Sequence, residues 1–145
     1  MIKIVLLILF LLASFYNYSI SRKNIVNVKK EPILFILIAM FGVIVLFLCY
    51  KYDNTFLGYL VVLGAFLLVI SISITPGISK EGINIILGNA KLNKQVKFNE
   101  ISKISYNDIA KDKFKITINA FSNEYNQIYD ISNKSKVLKL LKLKN

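Results

Sequence analysis

Hydrophobic positions run almost unbroken through the first half of the chain and then change to alternation. Three apolar segments come first: IKIVLLILFLLASFYNYSI at 2–20, ILFILIAMFGVIVLFLCY at 33–50 and TFLGYLVVLGAFLLVISISIT at 55–75. A helix crossing a bilayer needs about 20 mostly apolar residues, so this pattern predicts membrane helices over about 3–20, 33–50 and 55–75. The first is the weakest of the three, because Ser14, Asn17 and Ser19 follow its continuous run Ile4–Ala13. A cleaved signal peptide is the rival reading, with Lys3 as its charged start and Ile4–Leu12 as its apolar core. ASFYNYS after Leu12 offers no clean small-x-small cleavage site, so a retained helix is expected. Pro32 suits the first turn of the second helix, where a missing N–H costs nothing, and Tyr50 and Tyr52 stand where an interfacial aromatic belt belongs. In the third, Gly58, Gly64 and Ala65 permit close helix contact. Ser71, Ser73 and Thr75 are expected to return their hydroxyls to the helix backbone, and Pro76-Gly77 stops it.

Charge then orients the spans. The connection between the first two carries Arg22, Lys23, Lys29 and Lys30, and positive-inside statistics put it in the cytoplasm. The short KYDNT loop at 51–55 falls outside, residues 77–145 return inside, and the N-terminus lies outside. The apolar bodies of the spans contain no Asp, Glu, Lys, Arg or His, which argues against a channel or transporter acting alone. Asn17 is expected at the interface and Cys49 as a small apolar filler.

Beyond Pro76-Gly77 the period becomes two. INIIL at 83–87 puts Ile83, Ile85 and Leu87 on one face, and Gly88-Asn89 reads as a turn. Residues 90–98 follow, with a bulge or bend expected near Asn93 and Lys94, and then 101–107. Asp108 to Asp112 reads as a turn. KFKITINAF at 113–121 is the clearest strand: Phe114, Ile116, Ile118 and Ala120 point inward, Lys115, Thr117 and Asn119 outward. Ser122-Asn123 turns the chain into a strand at 125–131 with Tyr125, Tyr129 and Ile131 on one side. Ser132 or Asn133 caps a helix over 135–144, whose stripe of Val137, Leu138, Leu140 and Leu141 packs on the sheet in one reading and lies on lipid in the other. The fold class is a three-helix membrane region, 1–76, joined to a small α+β domain, 77–145, whose antiparallel sheet of about five strands is closed by a C-terminal helix.

Composition sharpens the functional question. The 145 residues carry a formal net charge of +11 and no histidine, so the commonest acid–base group and metal ligand is absent. The single cysteine, Cys49, has no partner for a disulfide or metal site. GNAKLNK at 88–94 is no phosphate loop, no acid pair is spaced for ligation, and no serine has a histidine to activate it. The sequence therefore points away from an enzyme and implies no cofactor.

In GINIILGN (82–89), FNEISKI (98–104), KFKITI (113–118) and KVLKLLK (136–142), the polar half resembles the pleckstrin-homology-like (PH-like) domains of small bacterial membrane proteins, a domain-of-unknown-function family (DUF5673-like). Glu100, Ile101 and Ile104 match that pattern, while Phe98 stands where many members carry Trp. The resemblance implies a PH-like fold over roughly 77–144 and carries over no functional residues. Within it, VKFNEISKISYN at 96–107 is expected to bend the chain between strands, with Phe98, Ile101 and Ile104 entering the core, Glu100 and Lys103 facing water, and Asn99 capping the bend.

These readings converge on a multi-pass cell-membrane protein that displays a cytoplasmic PH-like scaffold or binding module. Its partners would be the bilayer, anionic lipid headgroups or another membrane protein, or a second copy of itself. Lys91, Lys94, Lys97, Lys111, Lys113 and Lys115 are the candidate contact residues, each worth about 1 kcal/mol near anionic lipid. One alternative is a subunit of a membrane transport or channel complex. Another is nucleic-acid binding by the same lysines, with Tyr106, Tyr125 and Tyr129 stacking on bases. The latter is disfavoured because residues 77–145 contain no arginine and no reading helix.

Overall fold

A computed structural model describes residues 1–87 and 92–142. The chain forms two compact units: one of residues 1–19 and 30–74, the other of residues 20–29 together with those from Thr75 onward.

The first unit is helical. Its helices are α1 (Ile2–Ser21), α2 (Pro32–Tyr52) and α3 (Phe56–Ile74), and all three are long and apolar enough to cross a membrane. Most of their large apolar side chains are exposed, as a lipid-facing surface requires. Pro32 opens α2 behind Glu31, as its sequence signal indicated. The helices meet through small residues: a methyl added at Gly64 would lie 3.1 Å from Leu7 of α1, and one at Gly42 would lie 2.8 Å from Phe66 of α3. Ser71 and Ser73 donate to the carbonyls of Leu68 and Val69. Asn17 departs from its expected interfacial place. It is buried and donates through Nδ2 to Ser71 Oγ at 3.1 Å, because a side-chain amide in an apolar helix is best satisfied against a neighbouring hydroxyl. At the other end of the bundle Lys3 bonds Asp53, and its ammonium holds that carboxyl below its usual range.

The second unit holds seven described strands in two antiparallel sheets, more than the single sheet of about five anticipated. β1 (Asn24–Asn27), β2 (Gly77–Ser79), β3 (Gly82–Leu87) and β4 (Leu92–Lys97) lie in that order in sheet A. β5 (Ile101–Ala110), β6 (Lys113–Ala120) and β7 (Asn123–Asp130) form sheet B, and α4 (Lys134–Lys142) follows.

The two additional strands are short. β1 comes from the connection between α1 and α2 and pairs with β2, Val26 opposite Ile78 and Asn27 opposite Gly77. The unit therefore begins before α2, not at residue 77, and the side chain of Val26 is 3% exposed within its core.

β6 is the centre of that core. Phe114, Ile116, Ile118 and Ala120 alternate inward and are buried. They pack with Ile78, Ile83, Ile85 and Val96 of sheet A, with Tyr129 of β7, and with Val137 and Leu141 of α4. The final helix thus sends its apolar stripe into the protein core. Phe98, Ile101 and Ile104 pack against its margin, while Glu100 and Lys103 are exposed. The bend at Phe98–Glu100 is a short 3-10 turn, held by Glu100, whose carboxylate accepts the Lys97 N–H at 3.0 Å; Asn99 is not the capping residue.

Three local features differ from the pattern read along the chain. β4 pairs with β3 without a break at Asn93 or Lys94. β5 continues to Ala110, so Asp108 is a strand residue and the turn is Lys111-Asp112. The hairpin between β6 and β7 turns at Phe121 and Ser122, both with positive φ (52° and 60°). That is the twist a two-residue hairpin favours, although Asn or Gly adopts it at lower cost. The expected turn at Gly88-Asn89 lies outside the described residues.

Candidate functional site

The candidate lysines do not converge on one surface. Lys94 and Lys97 belong to β4 and, three residues apart, point to opposite faces of sheet A. Lys94 places its ammonium 3.9 Å from the centre of the exposed Phe121 ring at the hairpin tip, a cation–π contact. Lys113 and Lys115 lie on the outward face of β6 and Lys111 sits in the turn before it. The register puts Lys103, opposite Asn119, on the same face as Lys115. Lys91 lies outside the described residues. The outward face of sheet B therefore carries Lys103 with Lys113 and Lys115, and the register puts Glu124 and Asp130 of β7 on the same face.

Three of the acids are held in ion pairs. Lys29, just after β1, reaches Asp112 at 2.7 Å and Asp130 at 3.3 Å, and its backbone N–H donates to the Ile128 carbonyl at 2.8 Å. The Asp112 contact is the main cause of a Lys29 pKa raised above its ordinary value. The Asp112 carboxyl is lowered chiefly by Lys29, and that of Asp130 chiefly by its bond from the Ser132 hydroxyl, with Lys29 contributing. Asp108 pairs with Lys134 at the start of α4. All of these charges are exposed or half-exposed, so their value is in register more than in raw stability.

Beneath them runs a buried polar network. Asn84 donates to Asn24 Oδ1 at 2.6 Å, and Asn24 donates to the Thr75 carbonyl and to Asn27 Oδ1, each at 2.9 Å. Ser79 Oγ donates to the Gly82 carbonyl and receives Gln95 Nε2 at 2.9 Å. Gln127 bridges the sheets by donating to the Asn84 carbonyl at 2.7 Å and accepting the Tyr129 hydroxyl. Tyr129 is fully buried and stacked on Phe114, so burial pushes its phenol pKa far up. It cannot stack on a base. These bonds fasten β1, β2 and β3 together, with the buried Asn84 Oδ1 left without a hydrogen-bond partner. None is paired as acid and base for chemistry.

Among the clefts formed by the described residues, two lie on this unit. One of about 540 Å3 is lined by Glu81, Lys97, Phe98 and Asn99. The other, about 340 Å3, includes Val28, Pro76, Ile86 and Tyr125. Among the described residues no cluster of three His, Cys, Asp or Glu side chains forms a metal site.

The arrangement that chain reading missed is the docked connection itself. Its signal was present: NIVNV at 24–28 spaces Val26 and Val28 two apart, a strand period inside a segment longer than a tight turn needs. Comparison with known proteins adds no assignment: no family model, no curated protein and no solved structure matches the chain.

Proposed function

We propose that this chain is a multi-pass membrane protein that presents a PH-like binding or scaffolding module at the cytoplasmic face. The observation carrying this reading is the β1–β2 ladder. A strand from the α1–α2 connection pairs with a strand that follows α3, so in a membrane these two segments share a side. An odd number of crossings after β1 would separate them; α2 and α3 make two. Both segments are basic, with Arg22, Lys23, Lys29 and Lys30 on one and a surplus of lysine on the other, which supports the cytoplasmic assignment. Antiparallel strands followed by a C-terminal helix support the PH-like reading, although the described strands number seven in two sheets, with β1 supplied from between two spans.

The module's work in this reading is binding. Its outward sheet-B face carries Lys103, Lys113 and Lys115 alongside Glu124 and Asp130, and the surplus of lysine suits anionic lipid headgroups or an acidic surface on another membrane protein. With the anchor already holding the module at the bilayer, such contacts orient it more than recruit it. The test is topological. With Cys49 replaced, single cysteines at Asn54 and at Lys136 are exposed in intact cells to a membrane-impermeant thiol reagent. Labelling at 54 and protection at 136 is the expected result. Labelling at 136 with protection at 54 would put the module outside and end the cytoplasmic reading.

A further inference from the structure

We infer that β5 is a self-association edge, and that a second copy of this chain adds its own β5 antiparallel across it to join two B sheets into one. In sheet B the order is β5-β6-β7, and no described strand lies against the other side of β5. It is the longest strand described, with ten residues, and apart from Ile101 and Ile104 its residues are exposed. Such an edge presents a row of backbone N–H and C=O groups that protein chains normally protect with proline, inward charge or a bulge. β5 has no proline, and its register shifts fall near its two ends, leaving 103–108 regularly paired to β6.

The pattern along that edge selects its occupant. Taken about Ser105, ISKISYNDI at 101–109 reads the same in both directions as apolar and polar positions. A twofold axis through Ser105 therefore sets Ile104 against Tyr106 of the second copy, Lys103 against Asn107, and Ser102 against Asp108. Apolar meets apolar, polar meets polar, and no like charges face each other. Twofold pairing also demands that opposed residues lie on the same sheet face, which holds only when they are an even number apart; every pair here satisfies it. Moving the axis to Tyr106 would put Asp108 against Ile104 and Lys103 against Ile109. Moving it to Ile104 would put Ser102 against Tyr106. The register also has a use for Tyr106, which shares the core-side face with Ile104 and is 53% exposed. In the pair, Ile104 of the second copy covers it.

Register-specific crosslinking of the full-length protein in native membranes, with Cys49 replaced, tests this. Opposed residues in a sheet hold their Cβ atoms about 4.5–5.5 Å apart, within reach of a disulfide after small movement. Ser105→Cys is expected to form a disulfide dimer under copper-phenanthroline oxidation. Asn107→Cys and Lys103→Cys, each displaced from its own symmetry mate by about 13 Å, should not, yet the two co-expressed should crosslink to each other. Adding Asn107→Lys to the Ser105→Cys protein sets two lysine pairs face to face and should cut the dimer yield about fivefold. Lys103→Glu together with Asn107→Lys should restore it. No dimer at 105, dimers at 107 alone as abundant as at 105, capture of other proteins only, or a yield indifferent to Asn107→Lys would each overturn the inference.

Discussion

Replacing Val26 by alanine tests whether the membrane connection is a working part of the second unit. Val26 is 3% exposed and sits opposite Ile78 in the β1–β2 ladder. Truncation removes two buried methyl groups at about 0.8 kcal/mol each and leaves a small cavity that adds to the loss, for a total of about 2 kcal/mol. If β1 undocks locally, that energy converts to about a thirtyfold fall in amide protection. The assay is native-state hydrogen exchange on the detergent-solubilised full chain, read at Ile25–Asn27 and Gly77–Ser79. Strand β6, held by different neighbours, should lose less. Ile25→Ala is the internal control, since Ile25 is only partly buried and its truncation should cost under half as much. Unchanged protection at 77–79 in Val26→Ala would refute the reasoning, because it would mean that β1 does not hold the edge of sheet A.

Two further outcomes follow from the same geometry. Gly82→Ala would drive a methyl to 2.1 Å from the Val96 carbonyl oxygen, a backbone atom that cannot swing aside; β3 and β4 must separate there, at a cost of about 3 kcal/mol or more, visible as a lowered thermal midpoint or lost expression. The Lys29 cluster predicts a pH window. Asp112 and Asp130 titrate lower when folded, so their contribution is complete above roughly pH 4 and is lost as pH falls through the lowered values. Lys29 titrates higher when folded, so its contribution is complete below about pH 10.5 and is lost as pH rises through its folded value. The difference in thermal midpoint between wild type and Lys29→Met should therefore persist between those limits and shrink outside them; a difference that survives unchanged at pH 2 would contradict the pairing.

The parts of this fold that can be read along the chain are those set by one-dimensional patterns. Length and apolarity define α1, α2 and α3 to within a few residues, and strict alternation defines β6. Val137 and Leu141, on the stripe of a short amphipathic helix, enter the core as one of the two readings of that helix required. What could not be read depends on partners distant in sequence. β2 hides in TPGIS, where Pro76 and Gly77 signal only a break, although glycine is needed at 77 because a side chain there would meet Asn24 and the Val26 carbonyl. Lys29 looked like a topology signal among other basic residues, yet it also clasps two acids more than eighty positions away. Asn17 looked interfacial because its partner, Ser71, lies on another helix. Composition groups the lysines together, and only strand register separates the face of Lys115 from the two faces of β4.

The docked strand has a consequence for how the protein is made. β1 leaves the ribosome roughly fifty residues before β2, a delay of a few seconds at about 5–20 residues per second. Through that interval Val26 has no sheet to join, and α2 and α3 must both be threaded before it does. Assembly of the second unit therefore reports on insertion. A chain whose second or third helix fails to cross leaves β1 and β2 on opposite sides of the lipid, with a core lacking one wall and an unsealed edge for quality-control proteases to seize. If α2 and α3 span a membrane as proposed, the short strand that completes the sheet closes only once both are threaded.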